Sequence, residues 1–177
     1  KSIIKKLFHY LTFMISGIIN VCKIKNYEIV IVSSPPLFCG IIGVFLQKFY
    51  SSQFWLDVRD LWPESAIALS QIKKGWIYFI GKKLESIIYN SAKGFIFPVP
   101  SFKEYFKNEY NLQSHKPMLN LINGVSEDFI KEINNTDLNP DKRFTVLYSG
   151  NIGLAQGLET IIEAAQLINN YPIDFQF

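Results

Sequence analysis

The 177-residue sequence predicts an α/β protein, a Rossmann-like parallel sheet with helices on both faces, and three observations lead there. Short apolar runs rich in β-branched residues, such as "IVIV" at 29–32, alternate with longer amphipathic segments. Each run ends in a cluster of Pro, Ser, Asn or Gly, so strand, loop and helix signals recur in one order. Apolar residues make up 49% of the chain and charged ones 19%, a balance that supports a buried core and argues against disorder.

Residues 1–23 have helical periodicity. Ile4, Leu7, Phe8, Leu11, Met14, Ile15, Ile18, Ile19 and Cys22 share a broad apolar face, and Lys5, His9, Thr12, Ser16 and Asn20 form a polar stripe opposite. The run is too short and interrupted for a membrane span, and no small-residue cleavage site follows it. We read it as a core helix. A membrane-surface helix is the alternative, kept open by Lys1, Lys5 and Lys6 at its basic end.

A buried strand follows at 28–33, ended by Pro35 and Pro36, and "LFCGIIGVFLQKFY" continues as a helix. The second strand, 54–58, leads into a charged cluster, "RDLWPES". Helices are expected over 64–72 and 76–91, separated by "KKG", and a third strand over 94–97. Ser101 and Glu104 have the spacing of a capping box, so a helix should start near Ser101. A fourth strand, 118–122, ends at "NGV".

Residues 126–142 are polar and rich in Asn and Asp, and read as a linker. Beyond them the pattern restarts with a strand at 144–149, a glycine-containing loop, the helix "GLETIIEAAQLI" and a last strand from Ile173. The expected division is a first domain over 1–125 that lacks its leading strand, a linker over 126–142, and the first βαβ unit of a second Rossmann-like domain over 143–177. The later strands should form a separate sheet. The first residue is not Met and the last residues, "IDFQF", read as strand, so the chain is expected to be a piece of a longer protein.

Several function classes are disfavoured. The net charge of +3 comes from scattered residues, which gives no nucleic-acid footprint. Cys22 and Cys39 lack a CxxC spacing and read as small buried apolar residues in a reducing compartment. His9 and His115 read as surface residues, and neither a metal-ligand set nor a Ser/His/Asp constellation can be assembled.

In open parallel sheets, ligands bind outside the carboxyl ends of the strands. Four stretches fall there: 33–36, 59–65, 98–101 and 123–125. Arg59 offers a bidentate fork for phosphate or carboxylate, and Asp60 a group to orient or deprotonate a hydroxyl. Glu64, after Pro63, sits well at a helix N-terminus. Spacing equally allows a purely structural set, with Arg59 paired to Asp57 or Asp60 and Glu64 serving the helix dipole. The loop "GNIGLAQG" (150–157) could bring backbone N–H groups to a phosphate, or form only a tight turn.

Together, "VIVSSPPLF", "DVRDLWPESAIAL", "INGV" and "YSGNIGLAQGLETIIEAA" resemble the family 4 glycosyltransferases of GT-B architecture, in their bacterial surface-polysaccharide branch, over the whole chain. The resemblance implies a retaining hexosyl- or N-acetylhexosaminyl-type transferase. It would move a sugar from a nucleotide-diphosphate donor to a lipid-linked glycan acceptor in capsule, O-antigen or exopolysaccharide synthesis. It implies a cytoplasmic protein, peripheral on the inner face of the plasma membrane through residues 1–23. The nucleotide sugar would be co-substrate, with no cofactor, metal or nucleic acid. Asp60, Arg59 and Glu64 would be catalytic. Gly150, Asn151, Gly153, Gln156 and Gly157 would meet the donor, and Ser33, Ser34, Pro35, Ser101 and Asn123 would lie on acceptor-side loops. Two departures stand out. Arg59 and Asp60 occupy a loop where many members carry a histidine, and Asn151 and Gln156 occupy one where many carry Arg and Lys. This polypeptide alone is expected to be inactive. Two other readings compete: a non-catalytic glycan- or partner-binding module, and a dinucleotide-binding oxidoreductase domain, which would want G-x-G-x-x-G.

Overall fold

A computed structural model describes residues 3–24, 27–110, 116–134, 144–168 and 172–176. Four strands, β1 (Ile29–Ser34), β2 (Gln53–Val58), β3 (Gly94–Phe97) and β4 (Met118–Asn120), form a parallel sheet in the order β1-β2-β3-β4. Two more, β5 (Phe144–Leu147) and β6 (Ile173–Gln176), pair in parallel as a separate sheet. The chain divides accordingly into two compact units, Lys1–Asn123 and Gly124–Phe177.

Helices fill the connections, as parallel pairing requires. Helix α1 (Ile3–Val21) precedes β1, and a 3₁₀ turn at Leu37–Cys39 runs into α2 (Gly40–Tyr50). Between β2 and β3 lie α3 (Glu64–Ala68) and α4 (Trp76–Ser91), and α5 (Pro100–Glu109) joins β3 to β4. In the second unit, α6 (Glu127–Asn134) precedes β5 and α7 (Leu158–Leu167) connects β5 to β6.

The core lies on one face of the four-stranded sheet. Phe54, Leu56 and Val58 alternate to that side of β2, and Phe95 and Phe97 continue it on β3; all five are fully buried. Ile88 and Tyr89 of α4 and Phe106 of α5 close over them, with the Phe106 ring 5.0 Å from those of Phe95 and Phe97. Helix α2 approaches through Gly43, where a Cβ would fall 2.3 Å from the Phe54 ring. On the other face, Trp55 is half-buried while Ile31 and Leu119 are exposed.

Several expectations need correction. Helix α1 is not a core helix: among its described side chains none is buried, and Phe8, Phe13, Ile15 and Ile19 are exposed. It packs on α2 and the turn before it, with Gly17 close to Ile42 and the Tyr10 ring 6.4 Å from that of Phe38, while Leu11, Met14 and Ile18 of the apolar face are only half-buried. Cys22 is exposed, whereas Cys39 is buried as expected. Lys1, His115 and the side chain of Lys6 lie outside the described residues.

The stretch read as a linker contains α6. Its start is signalled by Ser126, whose Oγ accepts from the Phe129 N–H at 3.3 Å, with Glu127 and Asp128 in the first turn. The helix expected over 64–72 stops at Ala68, because the N–H groups of Gln71 and Ile72 both turn back to the Ala66 carbonyl and Ser70 takes φ +54°. The capping box does not form. Pro100 and Ser101 are already helical, and Val99 stands at the N-cap without a side-chain bond. Strand β4 ends at Asn120, followed only by the Leu121 N–H bonding to the Phe97 carbonyl at 2.8 Å.

Candidate active site

The carboxyl ends of β1 and β2 are joined by polar groups. Asp57, the fifth residue of β2, is buried, and its Oδ2 accepts from Ser33 Oγ at 2.8 Å and from Arg59 Nε at 2.7 Å. The Arg59 N–H bonds the Ser34 carbonyl at 2.8 Å and extends the pairing by one step. Burying a carboxylate is costly unless donors satisfy it, and here two do. The pairing of Arg59 with Asp57 is therefore real. It uses only Nε, so the guanidinium, half-exposed, keeps its two NH₂ groups clear of other ion pairs among the described residues.

Beyond Arg59 the loop lies down on α4. The Trp62 ring sits over Gly81, where a Cβ would fall 2.7 Å from Cζ3. Leu61 and Trp62 both pack against the core. Glu64, first residue of α3, forms an ion pair of 2.8 Å with Lys82 and receives a long hydrogen bond (3.4 Å) from the Tyr78 hydroxyl. Lys82 also pairs with Glu85 and donates to the Tyr110 hydroxyl at 2.9 Å; that hydroxyl donates to Glu85 Oε1 at 2.6 Å. Glu85 is fully buried.

The electrostatics follow from this geometry. Burial pushes the Glu85 carboxyl up, against the opposing pull of Lys82 and Tyr110. Lys82 loses solvation too, but bonds to Glu64, Glu85 and Tyr110 hold it charged well above its ordinary range. Burial and the bond to Glu85 raise Tyr110 as well, so its hydroxyl stays a donor. Asp60, half-buried, has neither an ion pair nor a side-chain hydrogen bond among the described residues.

The other residues singled out from sequence are dispersed. Ser34 is buried; Ser33, Pro35, Ser101 and Asn123 are exposed. In the second unit, Gly150, Asn151, Gly153, Gln156 and Gly157 are all exposed between β5 and α7. That loop is shaped by its own backbone: Gly157 adopts φ +55°, the Gln156 N–H bonds the Gly153 carbonyl, and the Tyr148 hydroxyl bonds the Asn151 carbonyl. Sequence reasoning missed Gly81, Lys82, Glu85 and Tyr110. A glycine inside a strong helical pattern, followed by Lys and Glu three apart, was the available signal.

Charge divides unequally between the units. Lys1–Asn123 holds 15 Lys and Arg against 7 Asp and Glu, a formal +8, whereas Gly124–Phe177 holds 3 against 8, a formal −5. Among the described residues, no group of His, Cys, Asp and Glu is arranged to hold a metal ion, and no helix is long and apolar enough to cross a membrane.

Fold and loops thus define an α/β protein with polar side chains collected where two parallel strands end. No protein-family model matches the chain. It is distantly similar, at 24% identity over 189 aligned positions, to the Escherichia coli (strain K12) protein named "Putative colanic acid biosynthesis glycosyl transferase WcaI". The match covers 98% of this chain and 46% of that protein, so the chain spans about half the length of the curated relative.

Proposed function

We propose that the natural gene product is a glycosyltransferase of surface-polysaccharide synthesis, and that this chain supplies its acceptor-side unit (1–125) and the start of its donor unit (143–177). The observation that carries this reading is a similarity to a glycosyl transferase along nearly the whole chain. The polar cluster at the ends of β1 and β2 supports it.

The donor is a nucleotide-diphosphate sugar and the acceptor a lipid-linked glycan. In the transfer, an acceptor hydroxyl oxygen bonds the anomeric carbon as the bond from that carbon to the diphosphate oxygen breaks. The nucleoside diphosphate leaves, and the configuration is retained. Asp60 orients the hydroxyl or takes its proton. Arg59, aimed by Asp57, offers its free NH₂ groups to anionic oxygens of acceptor or leaving group. The glycine loop meets the donor diphosphate through backbone N–H groups. The basic first unit and exposed apolar side chains of α1 favour contact with an anionic membrane surface.

The test is nucleoside-diphosphate release by the natural gene product, run over a panel of nucleotide sugars with lipid-linked acceptors. Asp60→Asn should lower kcat by about 10²-fold with an unchanged Tm. A variant that keeps full turnover and melts earlier would reduce Asp60 to a structural role.

A further inference from the structure

We infer that Lys82 is a positioning residue for the proposed transfer: with Gly81, Glu85 and Tyr110 it clamps the loop that presents Asp60. The inference rests on the functional reading above.

The loop from Arg59 to Glu64 is fixed at both ends. At its start, the Arg59 N–H bonds Ser34 and its side chain bonds buried Asp57. At its end, two consecutive residues of α4 hold it: Gly81 gives the Trp62 ring its seat, and Lys82 takes the Glu64 carboxylate. Leu61 packs on the core between them. Asp60 is left as the residue of this loop whose carboxylate has no partner among the described residues. A free acid on a loop fastened on either side is what positioned chemistry needs, because small misplacements of a reacting group cost rate steeply.

Glu85 shows that the clamp has a purpose beyond cohesion. A buried carboxylate is a poor source of stability, since an apolar side chain of its size would avoid desolvation. What it adds is direction. Glu85 and the Tyr110 hydroxyl take up Lys82 from the core side, and Lys82 reaches Glu64 with its remaining capacity. The cluster thereby joins the first residue of α3, which follows the β2 end of the candidate site, to the middle of α4 and the end of α5.

The experiment uses the natural gene product with Trp55, Trp76 and every tryptophan outside this chain replaced by Phe, so that Trp62 alone reports. Lys82→Met should raise acrylamide quenching of Trp62 about two- to threefold and lower kcat roughly tenfold, with KM for the nucleotide sugar within twofold, and Lys82→Arg should restore both. Unchanged quenching overturns the inference, whether kcat falls or not, and so does loosened quenching with unchanged kcat. If Lys82→Met does not fold, Glu64→Gln, which weakens the same pair from its partly exposed side, is read identically. A parent protein with no transferase activity would refute the functional reading, while Trp62 quenching would still decide whether the clamp exists.

Discussion

Between Arg59 and Glu64, every side chain except that of Asp60 is fastened to a strand end, the core or α4. Between Gly150 and Gly157, by contrast, the described side chains are exposed, and the contacts that shape the loop run through backbone carbonyls. Both loops follow a parallel strand and precede a helix, so topology does not explain the contrast. The chemistry we propose for them would account for it. A loop that presents a carboxylate must fix one side chain, and fixing it takes buried partners. A loop that offers backbone N–H groups to a phosphate needs only the right φ and ψ, which glycine supplies.

The largest effect should come from unseating Trp62. Gly81→Val puts branched carbons where a single Cβ already falls 2.7 Å from the ring. We expect a loss of about 3 kcal/mol in denaturant unfolding, at the upper end for overpacking. A loss under about 0.5 kcal/mol would mean that the loop is not seated there.

A second measurement concerns pH. Because burial raises the Glu85 pKa, the folded protein holds this proton at pH values where the unfolded chain has released it. The contribution of Glu85 to stability therefore falls as pH rises from its ordinary value near 4.5 through the raised one. Lys82 stays protonated over that window and adds no slope. The difference in Tm between Glu85→Gln and the parent should accordingly grow in favour of the variant from about pH 4.5 to 7. A flat difference would mean that Lys82 and Tyr110 cancel the effect of burial, and one that shrinks would mean that they outweigh it.

The smallest effect belongs to the free loop. Gly157→Ala meets no atom within 4 Å and suffers only the left-handed backbone, so we expect a loss of about 1 kcal/mol. Donor KM should change less than threefold, since alanine keeps the N–H. A larger rise in KM would show that this loop, too, depends on a fixed side-chain environment.

What was legible in the sequence were features carried by local pattern. Strand β2 falls within a residue of the strand expected at 54–58, helix α4 spans the expected 76–91, and the two sheets are separate. Arg59 paired with Asp57 was one of the arrangements that spacing allowed. The clamp was not legible, because Glu64, Lys82 and Tyr110 lie 18 and 28 positions apart and only the packing of α4 under the loop brings them together. The helix at Glu127–Asn134 was missed for another reason. The Asn- and Asp-rich composition after it outweighed a plain N-cap at Ser126.

The bond between Ser33 and Asp57 bears on how the chain finds this fold. Along β1 the sequence Ile-Val-Ile-Val is nearly the same on either face, so apolar burial alone barely separates the native pairing with β2 from one slipped by a residue. In the native register Ser33 stands opposite Asp57 and donates to it. A slip that set Val32 opposite Asp57 would leave the buried carboxylate with one donor fewer, whereas the opposite slip would bring up the Ser34 hydroxyl in its place. The polar pair thus guards the alignment in one direction, where the chain also places its candidate chemistry.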